Sequence, residues 1–327
     1  MNNRRKLRGL IVSMGVILLI VIIISLFTGK YPLTYKDIIE GNEQAMRVFF
    51  TLRLPRTCMA VIAGFGLGVA GMIYQTIFHN PLASPDIIGV SSGASVGAAF
   101  AILFLPGSLI FVTASAFIGS ILAVIIALGL ATMIPGKNTA SIVLSGIAVH
   151  SLAQTFLMIL KITADPEKEL ASIEYWIMGS LNAITLERIP VSFVVAGASI
   201  MILFLLYRQV LILSMNDGEA ALLGINVFCM RLLILFFATL VVAAIVSVTG
   251  LISFIGLLAP HIARMITKDN RIDTLLMSGL TGGVLLCFAD ILARSVWTSE
   301  LPVSVFTSLL GAPFLLLLLI KRGTRYE

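Results

Sequence analysis

The chain is 327 residues long, 59% hydrophobic and only 12% charged, with a mean hydropathy of +1.07. A water-soluble domain carries about 25% charged residues, so a fully hydrated surface is excluded and the bilayer is the solvent for most of the molecule. The net charge of +6 does not indicate nucleic acid. Basic residues gather at the ends of apolar runs, as in Arg4-Arg5-Lys6 and Lys321-Arg322, and no basic face interleaved with aromatics occurs.

The first apolar run covers 10–27 behind a basic segment. It is longer than a secretory h-region, and Thr28-Gly29-Lys30 offers no small-x-small cleavage site, so it reads as a retained helix. A spanning helix needs about 20 apolar residues. Further spans are expected at 56–77, 88–105, 109–133, 140–161, 190–207, 229–249, 254–267, 274–295 and 304–320, about ten in all. An even count puts both termini in the cytoplasm, and the segments then lying inside carry the larger share of Lys and Arg. Between the spans, the polar stretch 30–51 is expected to hold a short helix. The stretch 161–190 reads as a partly amphipathic surface element, with Tyr175-Trp176 as an interfacial anchor. Gly64 and Gly68, and then Gly89, Gly93 and Gly97, recur at a spacing of four, which lets helices approach closely in lipid.

Several chemistries are missing. Cys58, Cys229 and Cys287 form no CxxC pair and read as small buried packing residues. Pro135-Gly136-Lys137-Asn138 lacks the first glycine and the hydroxyl of a phosphate loop, so the chain is not expected to hydrolyse ATP. His79, His150 and His261 stand apart as helix-end or cavity residues, with no metal-ligand spacing. Asp290 and Arg294, four apart on one helix face, are the expected intramembrane ionisable pair, fewer than a proton-coupled carrier needs.

Four motifs occur in order. They are Arg53-Leu54-Pro55-Arg56; Asn80-Pro81-Leu82-Ala83-Ser84-Pro85-Asp86 running into Ile88-Gly89-Val90-Ser91-Ser92-Gly93-Ala94; Gly256-Leu257-Leu258-Ala259-Pro260-His261-Ile262-Ala263-Arg264; and Ala289-Asp290-Ile291-Leu292-Ala293-Arg294, followed by Glu300-Leu301-Pro302-Val303 and Gly311-Ala312-Pro313. Together, from about residue 45 to 320, they resemble the FecCD-type permeases, the membrane subunits of ABC importers for iron–siderophore complexes, haem and vitamin B12.

The resemblance implies a type II ABC importer permease fold, an all-α polytopic membrane protein with about ten transmembrane helices per subunit and halves related as inverted repeats. It implies a second permease subunit, as a homodimer, two ABC ATPase subunits that use ATP and Mg, an extracytoplasmic substrate-binding protein and a metal-chelate cargo. This chain itself would bind no cofactor, and its place would be a bacterial or archaeal cytoplasmic membrane. By position, Arg53, Arg56 and Arg294 match family arginines that pair with glutamates of the binding protein, a carboxylate being a natural partner for a guanidinium fork. The residues alone leave open that Arg56 anchors a helix end and that Arg294 neutralises Asp290. The segment Met215-Asn216-Asp217-Gly218-Glu219-Ala220-Ala221-Leu222-Leu223-Gly224-Ile225 matches the family's ATPase-coupling helices. Thr139 and Ala140 match its inner gate, and Asn80 and Leu82 a second constriction; Ala140 departs from the hydroxyl residue of a related B12 permease. An ion-gradient carrier and a non-transporting receptor or scaffold are the rival readings.

Overall fold

A computed structural model describes residues 2–106, 108–136, 138–185, 189–215, 217–268, 272–297 and 299–323. In lipid the backbone N–H and C=O groups have no water to bond and must pair within their own segment. Each apolar run therefore becomes a helix. The ten principal ones are α1 (Asn2–Phe27), α2 (Leu54–Ile77), α3 (Val90–Phe104), α4 (Leu109–Met133), α5 (Thr139–Thr163), α6 (Ile189–Leu205), α7 (Val227–Thr249), α8 (Ile255–Thr267), α9 (Ile272–Ser295) and α10 (Val303–Gly323). Six of them, α1, α2, α4, α5, α7 and α9, are long and apolar enough to cross a bilayer, and the other four are apolar but shorter. With no strand among the described residues, the chain is an all-helical, multi-pass membrane protein.

The expected runs coincide with these helices, with two differences. The first helix begins at Asn2, eight residues earlier. The sixth stops at Leu205, and the chain turns at Leu206 into a short helix, Tyr207–Ile212, where Tyr207 and Arg208 favour the interface. The stretch 30–51 holds two short helices, Tyr35–Ile39 and Glu43–Arg47. The stretch 161–190 contains a π-turn, Pro166–Leu170, and a helix, Ala171–Ile177, in which Tyr175 is half exposed and Trp176 packs on the core.

Successive helices alternate in direction. Ser25 near the end of α1 meets Arg294 near the end of α9, and Thr267 at the end of α8 meets Thr274 at the start of α9. The side holding Asn2 is called the near side below, the opposite one the far side. Two halves repeat one pattern in opposite orientation: α2–α5 have 24, 15, 25 and 25 residues, and α7–α10 have 23, 13, 24 and 21. In both halves the short helix follows a break that ends on a left-handed residue, Gly89 (φ 82°, ψ 18°) before α3 and Phe254 (φ 66°, ψ −27°) before α8. The glycine adopts this shape freely. A phenylalanine holds it only where its surroundings impose it. Here Phe254 is packed against Gly311 of α10.

Nearly all of α2 is buried, between α7, α8 and α9. Small residues make this possible. Gly64 and Gly68 lie against the α9 backbone at Gly282 and Ser278, and Gly71 against the carbonyl of Gly256 in α8. Ser278 Oγ donates to the Gly68 carbonyl at 2.7 Å, a polar bond between touching backbones. Gly93 and Gly97 pack likewise on Gly119 and Ser115 of α4, whereas Gly89, expected in the same stripe, lies outside the helix as its left-handed cap. The outer helices differ: α1, α4 and α5 present Leu19, Ile125, Leu152 and Phe156 outward, as lipid-facing surfaces do. Two cysteines depart from the expectation of burial. Cys58 and Cys229 are exposed and only Cys287 is buried, because lipid accepts a small apolar side chain as readily as a core does.

The contact between α2 and α8 gives a direct test. A methyl group at Gly71 would overlap the Gly256 carbonyl oxygen, and backbone cannot yield as a side-chain tip can. Gly71→Ala is expected to cost about 1–3 kcal/mol or more, read as lowered thermal stability in detergent, while Gly129→Ala, with open space around it, leaves stability unchanged.

Candidate functional site

Three groups of residues singled out by sequence occupy the two ends of the bundle. On the far side, Arg53 closes the π-turn Val48–Arg53, Arg56 stands in the first turn of α2, and Arg294 in the last turn of α9. All three line one cavity of about 220 Å³ with Lys30, Asn182 and Glu300. All three residues are buried, between 4% and 7% exposed, and each is held by this chain. Arg53 donates to the carbonyls of Leu26, at 3.0 Å, and Tyr31. Arg56 is bridged by Asp290 at 2.8 Å and Glu300 at 2.7 Å. Arg294 donates to the carbonyl and hydroxyl oxygens of Ser25 at 2.8 and 2.5 Å, and approaches Asp290 at 3.4 Å.

The arginines are thus together, as expected, but not as free forks. Sequence reasoning treated Asp290 as the partner of Arg294 alone. In the structure its closer bond is to Arg56, 234 residues away. Glu300, with a quarter of its side chain exposed, completes the cluster; its place in the fourth motif was the only sign of it.

On the near side, the expected coupling segment is a short helix, Asp217–Leu222, after the helix Tyr207–Ile212. Asn216 lies outside the described residues. Gly218, Glu219 and Ala221 form its outer turns, and Ala220, 1% exposed, is its inward contact. Leu222 is 88% exposed and Leu223 58%, and left-handed Gly224 (φ 77°) ends the turn by donating to the Ala221 carbonyl at 3.0 Å. Two adjacent leucines this exposed at the end of the bundle form an apolar tip of the kind that marks a contact surface.

Arg231, on α7, fixes this helix in place. It is the largest fully buried side chain among the described residues, 1% exposed, and its fork grips Asp217 through Nη2–Oδ1 at 2.7 Å and Nη1–Oδ2 at 3.2 Å. The hydrogen bonds from Arg231 hold the Asp217 carboxyl below its usual range, helped by the charges of Arg231 and His79, while partial burial opposes them. The carboxylate is therefore ionised at neutral pH. The bond weakens only as pH falls through that lowered value, below the ordinary carboxylate range.

The expected gate residues also lie on the near side. The Asn80 side chain accepts from the backbone of Leu82 at 2.9 Å, and Leu82 is half exposed. Thr139 opens α5 beneath the Asn138 cap, with Ala140 exposed beside it. The segment carrying Asn80 and Leu82 leads into Ile87, whose carbonyl touches Gly146 of α5. No group of three or more His, Cys, Asp or Glu side chains that could hold a metal occurs among the described residues. His79 ends up beyond α2, His150 within α5, and His261 against the ring of Phe314.

The FecCD transport family profile matches residues 17–321. The chain belongs to the FecCD transport family. Among FecCD relatives, the hemin transport system permease protein HmuU of Yersinia pestis is 34% identical over 332 residues, 98% of either chain. The cobalamin import system permease protein BtuC of Halobacterium salinarum is 36% identical over 285 residues, 86% of this chain and 76% of that one. A solved structure, described as an inward-facing conformation of a metal-chelate type ABC transporter, superposes with a TM-score of 0.88 at 32% identity, covering 96% of this chain and 99% of the other. The expected family is borne out, and with it the expectation of a permease whose ATP is hydrolysed by a separate subunit. Of the FecCD residues that carry the geometry, Arg231 and Glu300 escaped sequence reasoning.

Proposed function

We propose that this chain is the membrane-spanning subunit of an ATP-driven importer that carries a metal chelate, of the iron–siderophore, haem or cobalamin type, into the cytoplasm by alternating access. The observation that carries the reading is the family match across 17–321, on a chain whose near end presents a leucine-tipped helix anchored to a transmembrane helix. In this reading the chain passes the bilayer ten times, α3 and α8 each completing a pass together with the non-helical segment before it, the near side is cytoplasmic, and both termini lie there. A second copy completes the pathway. Leu222 and Leu223 enter grooves of two ATPase subunits, and Asn80, Leu82, Thr139 and Ala140 form the cytoplasmic constrictions.

The far-side arginines receive the substrate-binding protein. Because Arg56 is already bridged, docking takes the form of exchange. The partly exposed Glu300 swings away, and a carboxylate of the binding protein takes its place on Arg56 in the 220 Å³ cavity. Arg53 and Arg294 keep the cavity cationic.

The test is reconstitution of this chain in proteoliposomes with the ATPase and binding protein encoded beside it. Uptake of a ferric siderophore, haem and cobalamin is then followed in parallel. ATP-dependent uptake of one of them, lost when the ATPase is left out, is the expected result. Uptake that persists without ATPase and collapses with an uncoupler would make the chain a secondary carrier. Failure of any ATPase to associate would make it a scaffold.

A further inference from the structure

A carboxylate stands in the membrane interior where none was expected. Asp86 belongs to the connection between α2 and α3, which reads in sequence as a surface loop. The packing sets its depth. Gly93 and Gly97 of α3 lie level with Gly119 and Ser115 of α4, so α3 starts roughly 16 Å above the near end of α4, at 1.5 Å per residue. On α5, Ile87 and Gly89 abut Gly146 and His150, again roughly 10–16 Å above that helix's near end. Helix α8 has 13 residues and starts roughly 20 Å above its own near end. Both breaks therefore meet near the middle of a hydrocarbon layer about 30 Å thick.

Between them is a cavity of about 270 Å³, lined on one side by Ser84, Asp86 and Ser91 and on the other by Ser253 and Phe254. Asp86 and Ser253 are exposed to it and to the surface of the chain, and Ser91 Oγ donates to Asp86 Oδ1. Leu67 of α2 and Val242 and Val246 of α7 form the cavity's helical walls. A carboxylate is costly at that depth, and one that stays open to the protein surface faces water, a cargo or both. Helices α3 and α8 both begin at this cavity, each bringing roughly half a positive charge at its N-terminus. A single carboxylate balances the two.

We propose that Asp86, with the hydroxyls of Ser84, Ser91 and Ser253, forms a polar station at mid-depth on the cargo route, and that its charge decides which solutes enter. With Asp86 ionised the station takes neutral or cationic groups that donate hydrogen bonds, such as the amide, hydroxyl or ammonium periphery of a chelate. Without it, two helix N-termini would favour anions. Asp86 is a specificity-determining residue in this view, and the route on which it stands rests on the importer reading above.

The test reads the station without relying on transport. In a chain carrying Cys58→Ser, Cys229→Ser and Cys287→Ala, Ser253→Cys supplies a single thiol, assembled with its ATPase in proteoliposomes. Modification rates are compared for thiol reagents of equal size, one bearing a quaternary ammonium and one a sulfonate. With Asp86 present the cationic reagent is expected to react faster. Asp86→Asn should lower the ratio of the two rates by about tenfold or more, and Asp86→Glu should restore it. A thiol unreactive with both reagents in every nucleotide state, or a ratio unmoved by Asp86→Asn, overturns the proposal. ATP-driven uptake measured on the same vesicles separates the two readings: a charge-sensitive thiol in vesicles that take up nothing would count against the importer function and leave the station standing.

Discussion

An Asp290→Leu variant is expected to lose roughly 3–5 kcal/mol of stability. Asp290 is 0% exposed and is shared between Arg56, at 2.8 Å, and Arg294, at 3.4 Å. Removing it leaves two buried guanidinium groups facing each other, with only the partly exposed Glu300 in compensation. The loss comes from stranding charge, not from losing an attraction that water would have supplied anyway. A specific pattern follows. Arg56→Met and Arg294→Leu added to Asp290→Leu should recover most of the lost stability, because a buried ionic cluster replaced whole by apolar side chains is close to neutral. Denaturation in detergent, followed by tryptophan fluorescence, reads both. A single variant within about 1 kcal/mol of the parent would mean that water or lipid headgroups reach the cluster. The triple variant should fold and yet fail to hold the binding protein, which separates the structural from the docking role of the arginines.

The second large effect is expected at the near end. Asp217→Ala should cost about 2–5 kcal/mol and uncouple the machine, so that ATP hydrolysis continues while uptake falls at least about tenfold. The pair is lopsided: Arg231 is 1% exposed on its side chain and Asp217 is 55% exposed. Taking away the aspartate strands a buried cation, whereas Arg231→Met frees a carboxylate that water readily solvates, and is the milder change for stability. Both release the helix Asp217–Leu222 from α7, so both should uncouple. Arg231→Lys keeps the charge but not the two-pronged grip and should fall between. Parallel measurement of ATPase rate and uptake in vesicles decides. If both rates drop together with intact assembly, the helix is not a transmission element and the pair is only structural.

Helix positions were largely legible in the sequence because length and hydropathy alone define a lipid-solvated helix. The Gly64/Gly68 pair marked α2 as a close-packing helix but did not name α9 as its partner, and Asp217 to Gly224 were marked by their motif and by flanking glycine. What escaped has physical reasons. Hydropathy cannot tell a lipid-facing position from a buried one, so Cys58 and Cys229 were misplaced. Arg231 sits at the start of an apolar run, and nothing in the spacing points to a partner 14 residues upstream across a turn. Asp86 looked like part of a solvated loop because its neighbours Asn80, Pro81, Ser84 and Pro85 are turn residues. The clue was the shortness of the apolar run that follows, which cannot start at the membrane surface and still end at the far side.

Helix α8 bears on how the chain is made. Its 13 residues include Pro260, His261 and Arg264, and at about 20 Å it is too short to partition into lipid unaided. Arg264 in its last turn lowers the hydropathy of the nascent segment further. What offsets this exists only after earlier helices are seated: the Gly256 carbonyl docks on Gly71, and Arg264 donates to Gln75 of α2. During synthesis α8 is thus a passenger, drawn into the bilayer by α2 and closed in by α9 once that helix has followed it. Substitutions that spoil the α2 surface would then appear first as chains threaded with the wrong topology, cleared by quality control before any folded transporter exists to be measured.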